Sequence, residues 1–173
     1  QYLSINLKMK YTTKLLFLTI TNFLLIASET ELPIGLTEDE RLRVDEIYSM
    51  GRDTDPPSYP IRNISEFEPM SGVLIRYPFG IPINLIQEMA QDVTIYCLVS
   101  SNQQDAAYNS MYGGNVNMDN VEFILGSTDS YWTRDYGPWW IIDGERRVSV
   151  VDFTYNRPRP NDNDAPLKIS NYL

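Results

Sequence analysis

The 173-residue chain has no histidine and a single cysteine, Cys97. These absences exclude a great deal. No intramolecular disulfide can form, no zinc site of Cys/His type can be built, and neither a Ser/His/Asp triad nor a Cys/His pair can exist within the chain. Acidic residues are absent before Glu29, whereas Lys8, Lys10 and Lys14 lie there. The 14 basic residues less those three leave eleven against all 23 acids, so the body of the chain carries a net charge of −12. A body this acidic argues against nucleic acid as the main partner, because phosphate contacts need clustered Lys and Arg. It is compatible with cationic ligands. What remains is 43% apolar and 12% aromatic, the composition of a globular domain. Internal repeats and low-complexity tracts are also absent.

The stretch MKYTTKLLFLTITNFLLIAS, residues 9–28, has the form of a signal peptide. Lys10 and Lys14 give it a positive front, Leu15 to Ala27 form a mostly apolar run, and Ala27 and Ser28 are small enough for a cleavage site. A membrane-anchoring helix is the alternative, but the run is short for spanning and is interrupted by Thr19, Thr21 and Asn22. Residues 1–8 read as upstream sequence or a misassigned start. The expectation is a secreted, periplasmic or cell-surface protein without a stable membrane span once the leader is cleaved.

Residues 29–64 come next, as a short helix and a linker. Thr37 and Glu40 have capping-box spacing, and Leu42, Val44, Ile47 and Tyr48 supply a loose apolar stripe. GRDTDPPSYP, residues 51–60, contains three prolines and few apolar groups. A third region, 65–173, reads as strand, helix, strand, helix, strand, hairpin, an α/β layout with mixed strand directions. Its strands are 72–77, 92–100 and 121–125, and its helices are 82–91 and 102–111. Pro82 stands at the first turn of one helix, and Leu85, Ile86, Met89 and Ala90 share one side. Asp143-Gly144 is the turn signal between strands 139–142 and 148–153. Residues 92–100 are expected to be the central strand with Cys97 inward, a small buried hydrophobe with a raised pKa. The last segment, NDNDAPLKISNYL, reads as a polar loop with no element to close against, so the domain looks truncated.

Two clusters carry chemistry. In SYWTRDYGPWW, residues 130–140, Asp135 stands beside Trp132 and Trp139. A carboxylate next to aromatic rings holds a guanidinium or ammonium group by bidentate hydrogen bonds and cation–π attraction. A turn with buried aromatic packing and a surface ion pair through Arg134 would use the same residues, and spacing does not separate the two. In DFTYNRPRPND, residues 152–162, Arg157 and Arg159 alternate with prolines that stiffen the backbone. Such a pair suits a carboxylate or phosphate, and a solvated loop is the alternative.

Taken together, FEPMSGVLIRYP (67–78), WTRDYGP (132–138) and NRPRPND (156–162) resemble the secreted bacterial peptidylarginine deiminases of the Porphyromonas type, within the agmatine deiminase family. The resemblance covers roughly Ser65 to Asp164. WTRDYGP is shared across the wider family, whereas NRPRPND looks like the peptidyl-arginine branch. The resemblance implies a pentein-type α/β propeller of which only the first blades are present. It implies hydrolysis of a guanidinium to a ureido group plus ammonia, without a cofactor or metal, on an arginine-containing peptide or a small guanidine such as agmatine. In that family a cysteine thiolate attacks the guanidinium carbon, a histidine moves protons and two acids hold the nitrogens. Asp135 matches the first of those acids, a catalytic position. Trp132 matches a ring of the same pocket, and Arg157 and Arg159 match the positions that receive the carboxylate of a C-terminal arginine. The family's histidine, second acid and nucleophilic cysteine have no counterpart in this chain. The expectation is therefore an inactive amino-terminal portion of a deiminase. A non-catalytic guanidinium-binding module and a remnant of a broken gene are the other readings.

Overall fold

Apolar residues at every second position over 73–77, 95–99 and 121–123 demand burial on one side, and Leu74, Tyr96 and Leu98 between them demand it on the other. In the computed structural model, which describes residues 33–65 and 67–173, these segments are β2 (Gly72–Arg76), β3 (Thr94–Val99) and β4 (Val121–Leu125). They form a parallel sheet in the order β2-β3-β4, with β3 at its centre as expected. The leader predicted over residues 9–28 lies outside the described residues. Among those described, no helix is long and apolar enough to cross a membrane.

The crossovers are α2 (Ile83–Met89) and α3 (Gln104–Gly113). Pro82 takes the cap position of α2 rather than its first turn, and Leu85 faces outward, 46% exposed, instead of joining Ile86 and Ala90 in the core. One face of the sheet presents Ile75, Ile95, Cys97 and Val99 to Ile86, Ala90, Ala107 and Met111. The opposite face presents Leu98 and Ile124, with Leu74 and Tyr96 beside them, to Tyr136, Tyr155, Ala165 and Ile169. Cys97 is fully buried, and burial pushes its thiol up to about 12.

A second sheet is antiparallel, in the order β1-β5-β6, from β1 (Arg62–Asn63), β5 (Trp139–Ile142) and β6 (Val148–Val151). Neither three-stranded sheet closes on itself. The β5–β6 turn is longer than a two-residue hairpin: Ile142 pairs with Val148, and Asp143 accepts hydrogen bonds from the Glu145 and Arg147 N–H groups. Gly144 is required there by proximity. Its N–H donates to the Ser58 carbonyl at 2.7 Å, and a Cβ would collide with the Tyr59 carbonyl oxygen.

Upstream, Thr37 and Glu40 cap α1 (Glu38–Leu42) reciprocally, as the capping-box spacing predicts. The stripe after it is not apolar packing: a 3₁₀ helix covers Val44–Ser49, and Leu42 and Tyr48 are exposed. The proline-rich stretch is anchored by Arg52, which donates to Asp152, Asp164 and the Asn163 carbonyl. The C-terminal segment read as a loop is helical. It forms α5 (Pro160–Asn163) and α6 (Ala165–Tyr172), and Ala165 and Ile169 close against the sheet. The polar residues that suggested a loop, Asn161, Asp162 and Asn163, are those that fasten α5 to its neighbours.

Candidate functional site

The segment after β4 leaves the carboxyl edge of the parallel sheet, where open α/β sheets place their ligands. Residues 126–132 lead into a helical turn, α4 (Thr133–Tyr136), which lies against β2. Gly137 ends α4 with φ +86°, and a Cβ there would stand 2.8 Å from Trp139 Cδ1. This turn puts Asp135 in solvent while the next residue, Tyr136, is buried and its hydroxyl donates to the Ser130 carbonyl. Trp132 is half-buried on the Leu98–Ile124 side, with the Tyr131 ring 4.8 Å away.

Several side chains hold the loop, and Asp162 makes the most bonds to it. Asp162, fully buried, accepts from the Asp129 N–H at 2.7 Å, the Ser130 N–H at 3.1 Å and the Ser130 hydroxyl at 2.6 Å. Asp129 in turn accepts from the N–H and side-chain amide of Asn161. Lys168 of α6 donates to the carbonyls of Ser127 and Asn161. Arg76, at the end of β2, donates to Thr128 and to the Pro78 carbonyl. The 126–132 and 156–164 segments therefore form one polar unit on the sheet's open face.

Tyr155 joins the two clusters. Its ring meets Tyr136 edge-on at 5.9 Å, and its N–H donates to Asn163 Oδ1. Its hydroxyl is buried without a hydrogen-bond partner. Burial raises its phenol above the usual tyrosine value. Asp162 and Asp135 push the same way, while Arg159 and Arg157 oppose them.

The two arginines differ in setting. Arg157 is half-buried. Arg159 is buried, and its Nε donates to Glu40 Oε1 at 2.5 Å; the side chains are 6% and 7% exposed. Glu40's other oxygen accepts from the Thr37 N–H. Burial pushes the Glu40 carboxyl up, but the Arg159 hydrogen bond, the Thr37 contacts and the guanidinium charge outweigh it and hold it below the usual glutamate value. Arg159 Nη1 is buried without a hydrogen-bond partner.

The structure leaves Asp135 exposed and Arg157 half-buried, buries Arg159 against Glu40, and packs Trp132 against the cluster that contains Tyr136 and Tyr155. Two participants escaped the sequence reading, Tyr155 and Glu40. The capping box was visible at Glu40, but its second oxygen and a partner 119 residues on were not. Among the described residues, no group of three or more His, Cys, Asp or Glu is arranged to hold a metal ion.

Residues 81–165 match the family described as Porphyromonas-type peptidyl-arginine deiminase, a window that contains Trp132, Asp135, Tyr155, Arg157 and Arg159. Over 120 residues the chain is 23% identical to a protein of Selenomonas ruminantium named putative agmatine deiminase, an alignment covering 62% of this chain. The chain matches 32% of that relative's length.

Proposed function

From the match of residues 81–165 to the Porphyromonas-type peptidyl-arginine deiminase family, we propose that this chain supplies the substrate-binding part of an exported deiminase acting on arginine groups. Asp135 takes the guanidinium through bidentate charge-assisted hydrogen bonds, and Trp132 covers it with a ring face. Arg157 and Arg159 take the carboxylate of a C-terminal arginine, so the peptidyl reading, arginine to citrulline plus ammonia, is preferred over agmatine, which has no carboxylate to offer. The observation that carries this reading is the family match over 81–165, which takes in Trp132, Asp135, Arg157 and Arg159 together. A ligand with a cation at one end and an anion at the other would use an acid and a basic pair of this kind.

In this proposal the two small sheets are the first blades of a pentein-type propeller. The chemical step needs a thiolate and a proton carrier. Cys97 cannot serve, because it is walled into the sheet with its thiol raised to about 12, and no histidine is present. The chain by itself therefore binds guanidines without hydrolysing them.

The test is calorimetric titration of the chain with agmatine and with the amide of Nα-benzoyl-arginine. Asp135→Ala should weaken both by about tenfold or more, the loss of a charge-assisted contact. Unchanged affinity in a folded Asp135→Ala variant would refute the assignment, and so would ureido product formed by the purified wild-type chain.

A further inference from the structure

The guanidinium of Arg159 already holds a carboxylate, that of Glu40, and the pair lies out of water. Glu40 arrives from 119 residues upstream on a five-residue helix. The capping box uses Glu40 Oε2 and leaves Oε1 for the arginine. This seat is only partly satisfied. A guanidinium carries five N–H donors, and buried donors normally all find acceptors, yet Arg159 Nη1 has none. A ligand carboxylate, with two oxygens and no capping duty, could meet the fork more completely. Little apolar burial holds α1 in place: Leu42 is 87% exposed, and the Glu38 side chain is almost fully exposed. Arg52 fastens the chain behind α1 to Asp152 and Asp164, so α1 can leave while the proline-rich stretch stays anchored.

We propose that Glu40 is a built-in stand-in for the ligand's carboxylate, an autoinhibitory contact that hides Arg159 from C-terminal arginine until α1 is displaced. This rests on the reading of Arg157 and Arg159 as a carboxylate seat. While Glu40 is seated, the protein recognises the guanidine end alone. Once it leaves, the same site prefers ligands that end in a free carboxylate.

The probes are Nα-benzoyl-arginine, its amide and agmatine, titrated calorimetrically against the full chain, Glu40→Gln and Arg157→Ala. The wild type is expected to bind the free acid and the amide alike. Glu40→Gln should bind the acid about tenfold more tightly, the scale of one freed charge-assisted contact, with the amide and agmatine unchanged. If Glu40→Gln loses its near-ultraviolet circular dichroism, Glu40→Asp replaces it. Its shorter reach should give a smaller gain on the acid alone, and no gain would overturn the proposal. If the wild type already prefers the acid, loses that preference in Arg157→Ala and is indifferent to Glu40→Gln, the stand-in is overturned while the carboxylate seat survives. Equal binding of acid and amide by every variant, or no binding of any probe, overturns both.

Discussion

The two faces of the parallel sheet are held by different physics. Behind it, α2 and α3 cover Ile75, Ile95, Cys97 and Val99 with apolar side chains. In front, the segments 126–137 and 152–164 touch the sheet through a few rings and aliphatic groups, and are otherwise fastened by Asp162, Asn161, Asn163, Lys168 and Arg52. Apolar burial is additive and forgiving of exact geometry. A polar lattice is directional, and each missing partner leaves a buried group unmet. The difference leaves the front with charged side chains held at fixed positions by directional bonds.

The sharpest way to break this contrast is to damage each side once. Ile95→Ala, at a fully buried position behind the sheet, should cost about 3 kcal/mol of global stability, measured by urea unfolding. Asp162→Ala in front should cost about 2–3 kcal/mol, since three donors at Asp129 and Ser130 lose their acceptor. Its signature should be local: amide exchange should accelerate over 127–137 while β2, β3 and β4 stay protected. Uniform acceleration would mean that the two sides unfold as one.

A smaller effect tests the sign of the buried charge pair. Glu40 titrates below its ordinary value when folded, so its contribution is present above the unfolded glutamate range and disappears as pH falls through the folded value. The melting temperature of wild type minus that of Glu40→Gln should therefore be steady near neutrality and shrink only in acid. Cys97 behaves in the opposite sense. With the thiol raised from 9.0 to about 12, it contributes no pH dependence near neutrality, and stability is lost as pH rises from about 9 toward 12. At pH 8 a thiol reagent should label it only as fast as the protein opens. The smallest effect belongs to Leu42→Ala, which should change stability by no more than about 0.5 kcal/mol because that side chain stands in solvent.

The same contrast explains what could be read from sequence. Strands 72–76, 94–99 and 121–125, and the hairpin 139–142 with 148–151, announce themselves because alternation and β-branching are local signals. Cys97 was legible for the same reason. Asp135, Trp132 and the arginine pair stood out by composition and by resemblance. The helix Ala165–Tyr172 did not, because NDND before it has the composition of a loop. Those polar side chains serve backbone groups some 30 and more residues away: Asp162 serves Asp129 and Ser130, and Asn163 donates to the Met50 carbonyl. Pro160 and Pro166, each in a first helical turn, were the overlooked local signal. Glu40 was legible as a cap but not as the partner of Arg159, since nothing near position 40 encodes a residue 119 positions later.

Strand β3 is a party wall. Ile95, Cys97 and Val99 furnish one room while Tyr96 and Leu98 furnish the other, and the plank between them is a single backbone. Neither room can be redecorated privately. A bulkier residue behind Cys97 would bow the plank forward under Leu98 and tilt the floor on which Tyr136 and Tyr155 stand. Variation behind the sheet can thus alter the shape of the front through packing alone.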